Sequence, residues 1–536
     1  MPEPNSAVLF QRARSSFSRG ALAEARQLIS GALAADPDFI NAHRLAADIR
    51  AAMGEPEAAC EILQRAAARL APGSGRHTAV SLHLAGLLLQ RGDLAGAASA
   101  LKLEAILPLR DVRMLARAGY LYSCCEDHPP ALAVYERALS LQPDNSDLLY
   151  NCAAANRAMG NSDRAEDLYD RVLASRAEDW EAYRNRSDLR KQTETHNHLD
   201  QLHTLLQCDP LPVQARVQLN FALAKELEDL GRSGESFDAL QAGCRARRSM
   251  IQYDVGRDCS LMAAIRETFD AEKLGNIDAP GDAGEGIVLV LGMPRTGTTL
   301  VDRLLTSIPG VVSAGEPDTF ARLLGNAIAQ RHPDADTGEN TAVHAAGAVD
   351  MVEWGSAYAR QMRARADYFS GEVILDKNPM NFLYAGLIQR ALPAAKIVHL
   401  IRDPLDTCYA VYKTLFKSAY PFSYDQLELA RYYLGYRALM DHWRRALPGR
   451  FLDIHYERLV ADPPAESRRL FAFCGLEWTE SVLDFHRQKG GGTATASASQ
   501  VRQPIYRSSV GRWKDYHEQL RPLIDRLEKS GVFQTG

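Results

Sequence analysis

The 536-residue sequence contains no uninterrupted apolar run near the roughly 18 residues that a membrane-spanning helix requires. Its first residues, MPEPNSAVLFQRARSSF, contain no apolar core of the kind that a secretory signal has. The formal net charge is −5, so the chain lacks an overall positive charge that would attract nucleic acid or an anionic membrane. We therefore expect a cytoplasmic protein without a membrane span and without a nucleic-acid partner.

Cysteine pairs with metal-binding spacing are also missing. The nine cysteines are scattered along the chain, and neither Cys124 nor Cys125, which are adjacent, belongs to a C-x-x-C motif. An odd number of cysteines in a long chain of this kind favours reduced thiols. The sequence therefore predicts neither a disulfide framework nor a metal site.

The first half of the chain is repetitive. Small and apolar residues recur after 34 positions, first as Ala25, Ile29 and Leu33 followed by Ala59, Leu63 and Ala67, and later as Ala131, Tyr135 and Leu139 followed by Ala165, Tyr169 and Leu173. Ala97 lies 38 positions after Ala59 and 34 before Ala131, and residues 72–75, PGSG, accommodate the four extra residues. The period resembles that of the tetratricopeptide (TPR) family, in which stacked helix pairs share one continuous core. A further divergent unit is expected at residues 221–248.

The pattern changes in the second half. Helical periodicity fades near residues 254–269, and residues 277–286, IDAPGDAGEG, are typical of a linker. Apolar runs with strand character follow at residues 287–291, 373–375 and 397–401, with helical stretches between them. This alternation predicts a parallel α/β sheet. We therefore expect a helical repeat domain at 1–270, a linker at 271–286 and an α/β domain at 287–536.

A lysine is missing from the motif GMPRTGTT at residues 292–299. The motif follows the first apolar run directly and has both glycines of a Walker A loop, but Thr298 stands where the lysine would be. An ATP site needs that lysine and an acidic strand end for Mg²⁺, which disfavours a nucleotide kinase or NTPase. A strand, a glycine loop and a helix N-terminus still suit an anion, to which Arg295 adds a cation.

Two further segments contain basic residues at informative places. Arg402 ends the apolar run 397–401, and Asp403 and Pro404 after it have the chemistry of a helix start. Tyr456 directly follows the stretch FLDIH at 451–455. The C-terminal segment 500–513 contains the remaining candidate cations, Arg502, Arg507 and Arg512.

Residues 286–535 together resemble the PAPS-dependent sulfotransferases, whose 5′-phosphosulfate loop reads P-[KR]-[ST]-G-[ST]-[ST]. The loop fits that pattern at every place with Pro294, Arg295, Thr296, Gly297, Thr298 and Thr299. Segment 500–513 looks most similar to the tyrosylprotein sulfotransferases and to bacterial TPR-sulfotransferase proteins. The resemblance implies a P-loop-like fold, PAPS as donor, PAP as product and no metal. It also implies a hydroxyl or phenol acceptor, with a peptide tyrosine among the candidates.

The resemblance also assigns nucleotide contacts. It implies that Arg402 binds the 3′-phosphate and that Tyr456 lies at the nucleotide. It further implies that segment 500–513, preceded by the glycines 490–492, folds over the nucleotide, where Arg502, Arg507 and Arg512 are candidate contacts. One position departs from the family: the serine expected eight places after the arginine is Ala410, which removes one hydroxyl donor to the phosphate.

The catalytic residues are predicted on the same basis. Glu316, in the motif VSAGEP that a short strand at 311–312 would deliver, matches the family's glutamate base. Arg295 and Lys377, which follows the run 373–375, are the candidate cations for the leaving group. His399 lies inside an apolar strand and is interpreted as a core histidine. The repeats are expected to bind an acceptor or partner, or to form a homodimer. The remaining alternative is a TPR scaffold with a degenerate sulfotransferase half.

Overall fold

The computed structural model describes residues 5–274, 282–331, 339–368, 370–487 and 503–533. The chain divides into two compact units, Met1–Met159 and Gly160–Gly536.

The first unit consists of helix pairs. Its helices are α1 Ser6–Ser18, α2 Leu22–Ala35, α3 Ile40–Ala52, α4 Pro56–Ala68, α5 Gly75–Gln90, α6 Leu94–Ala100, α7 Leu103–Ile106, α8 Val112–Cys124, α9 His128–Leu141 and α10 Ser146–Met159. Short left-handed turns separate the members of a pair. Positive φ angles recur at Gly20, Gly54, Gly92, Glu126 and Gly160, at intervals of 34, 38, 34 and 34 residues. The backbone therefore repeats with the same period, and the same four-residue insertion, as the sequence.

Small side chains let these helices approach one another. The recurring alanines are fully or almost fully buried; they are Ala25, Ala59, Ala97, Ala131 and Ala165. In the first two pairs, Ala25 joins Ile29, Leu45 and Ile49 in a shared apolar core. Because a helix pair cannot cover its own apolar stripe, this burial requires stacked neighbours.

The second unit begins with further helices. These are α11 Ser162–Ser175, α12 Trp180–Ser187, α13 Leu199–Leu206, α14 Val213–Asp229, α15 Ser233–Ser249, α16 Val255–Thr268 and α17 Ala271–Leu274. The pair α14 and α15 confirms the divergent unit expected at 221–248. The expected fading of helical structure at 254–269 is wrong, because Asp254 caps α16 through a side-chain bond to the Gly256 N–H.

A parallel sheet of five strands follows in the same unit. The strands are β1 Ile287–Gly292, β2 Val311–Ser313, β3 Val373–Asp376, β4 Lys396–Ile401 and β5 Phe451–His455. Their spatial order is β2-β3-β1-β4-β5, and every neighbouring pair is parallel. The three predicted strands are therefore confirmed, and β1, which is buried along its whole length, lies at the centre.

Helices lie between the strands and after β5. They are α18 Thr298–Leu305, α19 Thr319–Arg331, α20 Glu339–Gly347, α21 Met351–Tyr368, α22 Ala385–Ala391, α23 Pro404–Tyr412, α24 Gln426–Ala446, α25 Tyr456–Ala461, α26 Pro463–Cys474 and α27 Arg521–Lys529. Short 3₁₀ helices lie at Pro379–Tyr384, Pro421–Tyr424, Glu480–Arg487 and Arg512–Tyr516. Crossovers of this kind bring the carboxyl ends of parallel strands to one edge of the sheet.

The predicted domain limits remain a prediction. Compactness divides the chain after Met159, so the helices from α11 onward share a unit with the sheet. The predicted linker at 271–286 falls partly outside the described residues. No helix in the described part of the chain is long and apolar enough to span a membrane.

Gly292 ends β1 and is paired with Leu400 of β4. Its φ is +145°, and a Cβ atom built there would lie 2.7 Å from the carbonyl oxygen of Leu400. Because this oxygen belongs to the backbone of the paired strand, only a shift of β1 or β4 could make room for a side chain.

We therefore expect Gly292→Ala to lower the free energy of unfolding by about 2 kcal/mol or more. Gly325→Ala is the matched control, because a Cβ there, on an exposed position of α19, has no atom within 4 Å. Urea unfolding measures both variants, and equal stabilities would contradict the close approach.

Candidate functional site

The glycine loop between β1 and α18 has the backbone of an anion cradle. Arg295 and Gly297 both have left-handed φ angles, of +67° and +102°. Gly297 is the N-cap of α18 and has no side chain with which to cap the first N–H groups of the helix. Left-handed residues alternating with ordinary ones turn successive N–H groups toward one concave side. Thr296 fastens the loop internally, since its hydroxyl donates to the Met293 carbonyl at 2.7 Å.

Two arginines lie at this loop. Arg402, directly after β4, is 9% exposed and donates through Nη1 to the Arg295 carbonyl at 2.9 Å. Its Nη2 donates to the Ser509 carbonyl at 2.6 Å, and its buried Nε has no hydrogen-bond partner among the described residues. Burial and the nearby charge of Arg402 lower the pKa of Arg295 below its ordinary value. Two cations in a shielded place favour an anion as ligand.

Tyr456 closes one side of the loop. Its ring lies 4.8 Å from the centre of the Arg402 guanidinium group, measured to the ring centroid. A Cβ atom on Gly297 would lie 2.8 Å from Cδ2 of the same ring. Tyr456 is buried and begins α25 directly after β5. The loop, Arg402 and Tyr456, which were predicted from three separate segments, therefore lie together.

The two other predicted catalytic residues are in direct contact. Lys377 Nζ and Glu316 Oε1 are 2.5 Å apart. The Lys377 side chain is only 2% exposed, whereas 40% of the Glu316 side chain is exposed. The lysine is therefore buried, whereas the carboxylate is partly open to solvent.

Backbone pairing positions this ion pair. The predicted short strand is confirmed as β2, which pairs with β3, and the pairing continues in the Lys377 N–H donating to the Gly315 carbonyl at 3.0 Å. The Asn378 side chain donates to the Pro317 carbonyl at 2.8 Å. The residues before and after Glu316 are thus held to the two residues that follow β3.

Asp376, the neighbour of Lys377 at the end of β3, is expected from the sequence to orient Lys377 or to cap the next helix. It is fully buried and accepts hydrogen bonds from Tyr358 Oη at 2.5 Å and Asn381 Nδ2 at 3.0 Å. Burial raises the pKa of Asp376 to about 7, although these hydrogen bonds act in the opposite direction. Its place in the motif LDKNP was visible, but Tyr358 lies 18 positions away on α21, and no local pattern indicates that contact.

His399 is buried within β4 and is engaged on both sides. Its Nδ1 lies 2.7 Å from Asp453 and its Nε2 lies 2.6 Å from Tyr436 Oη. Burial lowers the pKa of His399 despite the neighbouring carboxylate. The interpretation as a core histidine is confirmed.

A cavity of about 290 Å³ lies next to Arg402 and is also lined by Thr296, Thr407 and Arg437. Ala410, where the family has serine, is buried one helical turn beyond Thr407 on α23. The Thr407 hydroxyl donates to the Arg402 carbonyl at 3.3 Å. Thr407 therefore supplies a hydroxyl beside Arg402 that the motif comparison did not consider.

The C-terminal arginines are placed differently from the loop residues. Arg507 donates through Nε to the Val460 carbonyl at 3.1 Å. Arg512 pairs with Asp515 at 2.9 Å and with Glu228 at 3.5 Å. Arg502 and the glycines 490–492 lie outside the described residues. Contact of these three arginines with a nucleotide remains a prediction.

The residues present fit an adenosine phosphosulfate. The left-handed loop and the start of α18 suit the phosphosulfate, and Arg402, with a buried unpaired Nε, suits a second phosphate. Within the described ranges, no three His, Cys, Asp or Glu side chains lie together as a set of metal ligands.

Comparison with known proteins defines the class. Residues 288–480 match the sulfotransferase family, and residues 126–185 match the tetratricopeptide repeat. The first match contains the loop, Glu316, Lys377, Arg402 and Tyr456. The second half of the chain therefore contains a sulfotransferase domain, and the first half contains TPR repeats. Proteins to which this chain is similar include relatives named protein-tyrosine sulfotransferase.

Two curated relatives illustrate the extent of similarity. An uncharacterized protein of Aquifex aeolicus (strain VF5) is 31% identical over 351 residues, which cover 62% of this chain and 44% of that protein. This chain therefore spans less than half of that relative's length. A putative protein-tyrosine sulfotransferase of Caenorhabditis briggsae is 27% identical over 248 residues, which cover 45% of this chain and 86% of that protein.

Among solved structures, the sulfotransferase domain from the Synechococcus PCC 7002 olefin synthase is similar, with 18% identity and a TM-score of 0.31. The match covers 47% of this chain and 95% of that domain.

Asp376→Asn should change how stability depends on pH. The folded protein holds the Asp376 proton up to about pH 7, whereas the unfolded chain releases it near the ordinary value of 3.8. The wild type therefore loses stability as pH rises between these values, and the asparagine variant lacks that loss. We expect the stability of the variant relative to wild type to rise by about 1 kcal/mol per pH unit from pH 5 to 7. Denaturant unfolding at pH 5, 6, 7 and 8 checks this, and a difference that does not vary with pH would show that Asp376 stays ionised.

Proposed function

We propose that the protein is a PAPS-dependent sulfotransferase that transfers a sulfuryl group to a hydroxyl or phenol and releases PAP. The observation that carries the proposal is the ion pair between Lys377 and Glu316, with the lysine buried and the carboxylate exposed. It lies at the same edge of the sheet as the anion-binding loop, since β1 and β3 are neighbouring parallel strands. An anion cradle and a positioned acid–base pair at one edge match what group transfer between oxygens requires.

Each residue has a chemical task in this proposal. When bound, PAPS supplies an activated sulfuryl group whose leaving oxygen belongs to a phosphate. The loop N–H groups and the hydroxyls of Thr298 and Thr299 hold the phosphosulfate. Arg402 and Tyr456 hold the 3′-phosphate and the nucleoside.

Glu316 and Lys377 have different tasks in the transfer step. Glu316 accepts the proton of the attacking hydroxyl at Oε1 or Oε2. Lys377 and Arg295 stabilise negative charge that develops on the bridging and sulfuryl oxygens. Arg507 and Arg512 are retained as candidate nucleotide contacts, together with Arg502.

The names of the relatives support a class of acceptor and not a particular acceptor molecule. Protein-tyrosine sulfotransferase names among the relatives, together with TPR repeats, support a peptide or protein acceptor with tyrosine as the attacking phenol. Repeat helices often hold peptide segments in a groove. Alternatively, the repeats could bind a different partner or form a homodimer. A cytoplasmic location also stays a prediction.

Calorimetric titration with PAP tests the donor site. We expect micromolar PAP binding to the full chain, much weaker ATP binding, and loss of at least tenfold in PAP affinity in Arg402→Ala, because the variant removes a buried cation from the phosphate.

Arg444→Ala is the matched control, since Arg444 is an arginine of the same cavity that is already paired with Asp453 at 2.9 Å. A chain that binds no PAP would support the degenerate-scaffold alternative that Ala410 raises. ATP binding tighter than PAP binding would instead support a kinase or NTPase.

Turnover separates catalysis from binding. We expect Glu316→Gln and Lys377→Met each to lower the rate of labelled sulfuryl transfer by about 100-fold or more, because general acid–base and charge terms of this kind are lost. PAP affinity should stay within threefold of wild type in both variants.

The assay uses labelled PAPS with a panel of tyrosine peptides and small phenols, and the variants are compared on the acceptor with the highest wild-type rate. Asp318→Asn serves as the control, because its exposed carboxylate lies two residues from Glu316 but outside the ion pair with Lys377. Wild-type rates in Glu316→Gln would contradict its assignment as base.

A further inference from the structure

A second charge cluster lies in the same compact unit, around the carboxylate of Glu228 on α14. Lys413 Nζ, just after α23, donates to its two oxygens at 2.9 and 2.8 Å. Tyr409 Oη, on α23, donates to Oε1 at 3.0 Å. Burial acts to raise the pKa of Glu228, but the charge and hydrogen bond of Lys413, the charge of Arg512 and the hydrogen bond from Tyr409 together hold that pKa below its ordinary value. Glu228 is therefore an ionised link between the helical pair α14–α15 and the helix that follows Arg402.

The same carboxylate also reaches the C-terminal segment. Arg512 Nε and Tyr516 Oη each lie 3.5 Å from Glu228 Oε1. One turn earlier on α23, the Asp406 carboxylate accepts the N–H groups of Gly511 at 2.6 Å and Trp513 at 3.1 Å. Two carboxylates on different helices therefore hold the short stretch 511–516.

This stretch continues directly to the nucleotide site. Ser509, two residues before Gly511, accepts a hydrogen bond from Arg402 Nη2 at 2.6 Å. A displacement of residues 511–516 would therefore move the carbonyl group that orients Arg402. Since the Arg402 guanidinium is a planar, directional donor, its orientation determines how well it meets a phosphate.

We propose that Glu228 is a positioning residue for the nucleotide site. Through Arg512, Tyr516 and α23, it sets where residues 509–516 lie against Arg402, and thereby the affinity for the donor nucleotide. This inference rests on the proposed function, which identifies the bound nucleotide. It gives α14 a role in the sulfotransferase site itself. No motif of the sequence indicated this role, because Glu228 lies more than 170 positions before Arg402.

The structure offers a matched control. Arg248 on α15 and Glu428 on α24 form a two-bond ion pair, with both N–O distances 2.8 Å. This pair also joins α14–α15 to the helices around the sheet, and Glu428 is buried to a similar degree as Glu228. Arg248 donates hydrogen bonds to Glu428 and to the Ile251 and Tyr253 carbonyls, and not to residues 509–516 among those described. Glu428→Gln therefore weakens the same helical attachment without touching the C-terminal segment.

The experiment compares wild type, Glu228→Gln, Glu228→Asp and Glu428→Gln as full chains. PAP affinity is measured by calorimetry, and amide hydrogen exchange is measured in residues 503–516. We expect Glu228→Gln to weaken PAP binding at least tenfold and to speed exchange in 503–516 at least tenfold. Glu228→Asp should recover part of both losses, and Glu428→Gln should stay within twofold of wild type.

A steady-state measurement distinguishes positioning from general damage. Glu228→Gln should raise the KM for PAPS about tenfold and leave kcat within threefold. Equal effects of Glu228→Gln and Glu428→Gln, or unchanged exchange in 503–516, would overturn the proposal. If Glu228→Gln does not fold, Lys413→Met carries the same test by removing the principal cation of the cluster. If wild type binds no PAP, the proposed function fails, while the exchange comparison still decides whether Glu228 positions the segment.

Discussion

The parallel pairing of β1 with β3 on one side and β4 on the other is the constraint on which the site depends. Each of these strands ends in a residue or loop with chemical function, and parallel register brings the three ends to one edge. Gly292, Asp376 and Ile401 close the three strands. The anion loop, Lys377 and Arg402 follow these three strand ends within a few residues, and Glu316 follows the neighbouring strand β2. Because these residues lie close to the ends of rigid strands, the sheet fixes their relative positions.

Close backbone approach is the second condition. β1 lies against β4 so tightly at Gly292 that a single added carbon would meet the Leu400 carbonyl, and Gly297 has the Tyr456 ring in the same position. The glycines therefore do more than permit a turn. They let the loop lie between the end of β4 and the start of α25, where Arg402 stacks on Tyr456 and binds the loop carbonyl of Arg295. A cation held in this way by neutral groups keeps its charge available to an anion.

Sequence reasoning found the parts that are encoded locally. Apolar runs predicted β1, β3 and β4, and Asp403 and Pro404 marked the start of α23, where the Asp403 side chain accepts the Leu405 and Asp406 N–H groups. The repeat period predicted stacked helix pairs that share one core, with small residues at the recurring positions. The placing of Glu316 beside Lys377 required more: both residues came from motif resemblance, and only the β2–β3 pairing brings them together.

What sequence reasoning missed depends on contacts between distant segments. Tyr358 donates to Asp376 from another helix, Thr407 lies beside Arg402 one turn before the position where a serine was sought, and Glu228 binds residues far along the chain. Such contacts leave no period or spacing in the sequence. The α16 helix was missed for a different reason, because its apolar pattern is weak and its start depends on the Asp254 cap.

Contacts between distant segments also affect where a domain boundary can be drawn before the sheet. The family match begins at residue 288, and the sequence suggests a linker just before it. Compactness nevertheless groups α11 to α17 with the sheet. Two ion pairs cross the boundary that the family match would set: Glu228 with Lys413, and Arg248 with Glu428. The helix pair α14–α15 therefore packs against α23, α24 and the C-terminal segment and stabilises them. A boundary drawn from family similarity alone would separate the partners of both ion pairs. Lys413 and Glu428 would then lack their counter-ions, which is costly for half-buried charges.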